Sequence, residues 1–100
     1  MISKVKITVL RRMANRDLFE EYAYTPEIEP LCEHFQEGQE FIVEMLQIPK
    51  GFCDWAWADI QRDVLILGLG GNAPWIKEEG IIISCCTDGL RPVVFKLERV

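Results

Sequence analysis

The stretch IIISCCTDGLRPVVFKLE, residues 81–98, decides the fold. Ile81-Ile82-Ile83-Ser84-Cys85 is a short β-branched run, the composition expected of a central strand. Thr87-Asp88-Gly89-Leu90-Arg91-Pro92 is turn chemistry. Val93, Phe95 and Leu97 then alternate with Val94, Lys96 and Glu98, the period of a half-buried strand. Two such runs joined by a turn predict an antiparallel β-hairpin at the end of the chain.

Working outward, the same period appears at the start. Val5, Ile7 and Val9 alternate with Lys4, Lys6 and Thr8, so residues 3–10 are read as a strand. Asn15 stands in N-cap position before a short helix whose apolar side is Leu18, Phe19 and Tyr22, with acidic Asp17, Glu20 and Glu21 near its start. Pro26 and Pro30 interrupt regularity, and residues 25–37 read as a loop with a helical turn around Leu31–Phe35. After Gly38, the alternation of Phe41, Val43 and Met45 with Glu40, Ile42 and Glu44 predicts a second strand. Pro49-Lys50-Gly51 is a turn. Residues 54–67 carry the clearest helical period: Asp54 is the expected N-cap, and Trp57, Ile60, Val64 and Leu67 form an apolar stripe. Gly68 or Gly70 ends that helix.

The order is β-α-β-α-β-β. It predicts one α+β domain over residues 1–100, a small mostly antiparallel sheet with two helices; a partly closed barrel is the alternative. The chain has 100 residues, 49% hydrophobic and 27% charged, which suits a folded domain with one core. Its longest apolar stretch, residues 64–71, is far short of the roughly 20 residues of a membrane span. Met1-Ile2-Ser3-Lys4 offers no apolar signal region, so a cytoplasmic protein with no membrane role is expected. Eleven basic and sixteen acidic side chains give a net charge of −5, which argues against general nucleic-acid binding. The early cluster of Lys4, Lys6, Arg11, Arg12 and Arg16 is read as a solvated strand face and turn.

Three segments carry a resemblance: Cys32–Phe41, Gly51–Trp57 with its GFC-WAW string, and Cys86–Phe95 with its C-DGLRPVVF string. Together they resemble a family of short, uncharacterised prokaryotic proteins of anaerobic bacteria and archaea, of unknown function. The resemblance implies no activity, substrate or cofactor. It singles out Cys32, Cys53 and Cys86 as the matching cysteines and leaves Cys85 outside the pattern.

Those three cysteines stand at element boundaries, which can converge at one end of a small domain. With His34 or Cys85 they would make a Cys₃His or Cys₄ set for zinc or an iron–sulfur cluster. Against this, no Cys-x-x-Cys pair is present, and cysteine is commonly buried as a small hydrophobe. Cys53, beside a helix N-terminus, or Cys86, paired with His34, would serve a thiol-dependent enzyme, the weakest of the readings. Asp88 and Gly89 read as turn residues, while Arg91 is suited to a carboxylate or phosphate. Trp55 points about 200° away from Trp57 round the helix. Trp55 and Trp75 are therefore candidates for a pocket wall or a homodimer or protein-partner interface. Gly68-Leu69-Gly70-Gly71 follows a helix rather than a strand, so it reads as helix termination and not as a phosphate loop. The sequence thus points to a small binding or accessory protein with a site near Cys53, Trp55, Cys86 and Arg91, with the metal protein as the alternative.

Overall fold

The computed structural model describes residues 1–24 and 30–100; Pro26, expected to break regular structure, lies outside the described residues. Six elements follow in the order β1 (Val5–Arg12), α1 (Arg16–Tyr22), β2 (Glu40–Val43), α2 (Asp54–Gly68), β3 (Ile81–Cys85) and β4 (Val93–Arg99). The strands form one antiparallel sheet in the order β2-β1-β4-β3, an α+β fold whose sheet does not close into a barrel. The predicted hairpin is present, with Ile82 opposite Leu97 and Ser84 opposite Phe95.

The alternation read from the sequence sets the two faces. Val5, Ile7 and Val9 of β1, Val43 of β2, Ile82 of β3, and Val93, Phe95 and Leu97 of β4 are buried against Ala56, Ile60, Val64 and Leu67 of α2. The other face is open and carries ion pairs. Lys6 Nζ lies 3.3 Å from Glu98 and 3.7 Å from Glu40, and Lys4 reaches Glu44 at 3.1 Å. The hydrogen bond to Glu98, with the nearby Glu40 charge, raises the Lys6 pKa above its ordinary value. Of the early basic cluster, read as a solvated strand face and turn, Lys4 and Lys6 are thus ion-paired on this open face.

Six expectations need correction. β3 is an edge strand, not a central one; β1 and β4 take the centre because the first and last strands pair. The buried helix stripe runs through Ala56 rather than Trp57. Trp57 sits half-buried at the rim, edge-on to Phe52 at 6.2 Å. Cys53, not Asp54, occupies the N-cap of α2. Only Phe19 of α1 is buried; Leu18 is exposed and Tyr22 is 72% exposed, because the seven-residue helix lies at the sheet end and not over the core. Residues 31–35 hold bends and no helical turn, and Met45 lies beyond β2 in an exposed turn.

That turn has an unusual backbone. Met45 and Leu46 both have positive φ, 51° and 61°, and Gln47 N–H donates to the Glu44 carbonyl at 3.1 Å. This is the type I′ pattern that normally takes Asn-Gly. Leu46 has a packing reason to be there, since its side chain covers the bare Cα of Gly68, where a Cβ would collide with it. Just past this same C-terminal end of α2, Gly70 has φ +90°. Gly70 N–H donates to Leu67 and Gly71 N–H to Ile66, the paired bonds of a Schellman motif. Arg99 completes this cap, donating to the carbonyls of Leu67 at 3.1 Å and Gly71 at 2.7 Å.

Candidate functional site

At the N-terminal end of α2, three segments meet. A cleft of about 280 Å³ is lined by Cys32, His34 and Phe35 from one loop, Cys53 and Trp55 from the helix start, and Cys86, Asp88, Arg91 and Val93 from the hairpin turn. The structure therefore brings together all three cysteines singled out from the sequence, together with His34, Trp55, Asp88 and Arg91. Trp75 is not brought in; it is exposed in the loop after α2.

Each wall is positioned by a separate device. A bulge in β1 shifts the register between Val9, opposite Phe95, and Arg11, opposite Val94. The extra residue reverses the alternation, so Arg12 falls on the helix side of the sheet, opposite Val93. Its backbone N–H and Nε then hold the two oxygens of Glu37 at 2.9 and 3.0 Å, and Nη1 donates to the Cys32 carbonyl at 3.1 Å. The bond from the Arg12 backbone holds the Glu37 carboxyl below its usual pKa. Phe35 nails the same loop to the core. It is 1% exposed and packs edge-on to Phe95 at 5.2 Å and Phe41 at 6.0 Å, and tilted on Phe52 at 5.1 Å.

The helix start is set by the Pro49–Phe52 turn, in which Gly51 has φ +80° and Phe52 N–H donates to Pro49 at 3.2 Å. His34 Nε2 donates to the Gly51 carbonyl at 3.1 Å, joining the loop to this turn. His34 is therefore an anchor; among the described residues no hydrogen bond joins it to Cys53 or Cys86, so neither thiol has a base in contact.

The hairpin turn is held four ways. Asp88 Oδ1 accepts the N–H groups of Leu90 at 3.0 Å and Arg91 at 3.2 Å, which makes the turn residue read from the sequence an Asx-turn. Arg91 Nε lies 3.7 Å from Asp88 Oδ2, a local ion pair. Asp59 of α2 accepts from Thr87 N–H at 2.7 Å and from its hydroxyl at 2.9 Å, clamping the turn to the helix. Asn15 caps nothing with its side chain; its Nδ2 donates to the Gly89 carbonyl at 2.6 Å, which ties α1 to the turn.

Cys85 and Cys86 point to opposite faces, as adjacent strand residues must: Cys85 is exposed and Cys86 is buried. Cys86 Sγ accepts the Val93 N–H at 3.2 Å. Burial pushes the Cys86 thiol above its ordinary pKa, opposed by backbone N–H bonds from Asp88 and Val93. The four cysteines are free thiols. Although Cys32, Cys53 and Cys86 share the cleft, among the described residues no three Cys, His, Asp or Glu side chains are placed to hold one metal ion.

The residues that the sequence did not single out are Arg12, Glu37, Asp59, Thr87 and Asn15's amide. Their partners lie 25, 28 and 74 positions away, brought close by the β1 bulge, the helix crossing and the pairing of β1 with β4. No protein-family model, curated protein or solved structure matches the chain. Among the described residues no helix is long and apolar enough to cross a membrane.

Proposed function

We propose that this chain is a small binding or accessory protein whose ligand or partner site is the cleft between Cys53, Trp55, Cys86 and Arg91. The observation that carries this reading is convergence. Three segments far apart in sequence are tethered so that their thiols, an aromatic ring and an ion pair face one cavity. Trp55 is 65% exposed at its rim, an apolar surface left in water at a place where the rest of the wall is built. Exposed aromatic residues beside a concavity are the usual anchor of a binding site. At about 280 Å³ the cleft lies at the small end of ligand sites, suited to a small molecule or one side chain of a partner. A thiol enzyme is disfavoured because Cys86 is buried with a raised pKa and His34 is committed to Gly51.

The test is a screen of aromatic carboxylic acids followed by amide chemical shifts. Binding should move resonances in residues 32–35, 53–56 and 86–93 and weaken at least tenfold in Trp55→Ala. Shifts confined to other surfaces, or unaffected by that change, refute the site. Stoichiometric zinc or iron in anaerobically purified protein would instead support the metal reading.

A further inference from the structure

β3 does not have the composition of an edge. Edge strands are normally blunted by charge, proline or a bulge, because their outward backbone groups are a template for another strand. Ile81-Ile82-Ile83-Ser84-Cys85 has none of these devices. The opposite edge, β2, is only four residues long and begins with Glu40. The Gly80 carbonyl accepts Arg99 N–H, and Cys86 N–H donates to Val93. The alternation of an antiparallel ladder therefore turns the polar groups of Ile82 and Ser84 toward β4 and those of Ile81, Ile83 and Cys85 outward. Among the described residues no backbone group pairs with these three. Their side chains lie on the face opposite α2, where Ile83 is 45% exposed and Cys85 is exposed.

We propose that β3 is a self-association edge: two copies pair their β3 strands antiparallel about a two-fold axis at Ile83, giving one eight-stranded sheet. The occupant follows from the strand itself. The outward donors and acceptors require an extended strand, and a second β3 satisfies them in a register that sets Ile83 against Ile83 and Ile81 against Cys85. No charged residue enters the ladder, so two chains of net charge −5 meet without like charges in contact. The pairing makes β3 central, which is the position its β-branched composition specifies. Ile81, Ile83 and Cys85 of both copies then form one apolar strip. Five residues a side bury less than the roughly 800 Å² per partner of a standard interface, so the dimer is weak and concentration-dependent. The inference does not rest on the cleft reading.

The test combines sedimentation equilibrium with cross-linking. The reduced native protein should shift from monomer to dimer between micromolar and millimolar concentration. Ile83→Lys should lower the association constant at least tenfold with an unchanged circular dichroism spectrum. In the proposed register Ile81 lies about 5.5 Å, Cα to Cα, from Cys85 of the other copy, within disulfide range. Ile81→Cys should therefore give a covalent dimer on mild oxidation, and adding Cys85→Ser should abolish it. A native protein monomeric throughout, a dimer indifferent to Ile83→Lys, or an Ile81→Cys protein that does not cross-link through Cys85 overturns the proposal. An edge that takes up an unrelated extended peptide while the chain stays monomeric overturns it as well.

Discussion

The clamp between Asp59 and Thr87 is the bond whose removal says most about the cleft. Asp59→Ala deletes two contacts, from the Thr87 N–H at 2.7 Å and its hydroxyl at 2.9 Å. Each is worth about 0.5–1.5 kcal/mol net, and the water-open setting favours the lower half, so the pair contributes about 1–2 kcal/mol. That loss falls on the turn rather than on the core, because Val93, Phe95 and Leu97 remain packed. The turn carries Cys86, whose sulfur is covered in the closed state. Opening should therefore become about 5–30 times more frequent.

The assay is alkylation of the native protein with iodoacetamide, mapped cysteine by cysteine by mass spectrometry. Cys85, exposed on the opposite face, is the internal standard. In the wild type Cys86 should react slowly, and because burial raises its pKa, its rate should climb at higher pH than that of an ordinary thiol. In Asp59→Ala the Cys86 rate, normalised to Cys85, should rise by the factor above. Asp59→Asn keeps one acceptor and should fall between. Thr87→Val should show less than additive loss when combined with Asp59→Ala, since the two residues share the bond. An unchanged Cys86 rate in Asp59→Ala would show that the clamp does not hold the cleft closed, and the positional argument for the site would lose its second wall.

Three further outcomes are expected. Phe35→Ala removes a ring in contact with Phe41, Phe52 and Phe95, and should cost about 3–5 kcal/mol in urea unfolding. Met45→Asn should stabilise the protein by about 0.5–1 kcal/mol, since Met45 is exposed and its φ of 51° suits Asn better. The Glu37 carboxyl has a lowered pKa, so its bond to Arg12 contributes fully above the ordinary glutamate range and is lost as pH falls through the lowered value. The Arg12 amide resonance should report that transition, and Glu37→Gln should remove it.

The fold was legible because two periods dominate the chain. Alternation at Val5–Val9 and Val93–Leu97, and the Ile60, Val64 and Leu67 spacing, place the strands and long helix within a residue or two. Strand order was not legible. The rank of β3 in the sheet depends on β1 pairing with β4, and nothing local to Ile81–Cys85 encodes that partner. Ala56 displaced Trp57 from the stripe because Ala56, Ile60 and Val64 follow one another at i, i+4 spacing, while Trp57 packs beside that line against Phe52. The site was half legible. Cys53 and Cys86 sit at element ends, so their meeting could be anticipated. The clamps could not, because Arg12 reaches Glu37 only after the β1 bulge reverses its face.

The cleft and its surroundings differ in what holds them. Its floor, Phe35, Val93 and Ala56, belongs to the buried cluster, where displacement means losing packing. Its walls are joined by polar bonds that are mostly open to water: Arg12 to Glu37, His34 to Gly51, Asp59 to Thr87 and Asn15 to Gly89. Bonds of that kind are weak individually, and rupture of any one frees a wall without unfolding the sheet. A rigid floor with independently released walls can admit a ligand by small loop movements while the scaffold keeps its register. The same logic separates the two surfaces proposed for this chain. The cleft depends on side-chain tethers, whereas the β3 edge depends on backbone groups fixed by β4. A variant that loosens the clamps should therefore alter the cleft and leave self-association unchanged.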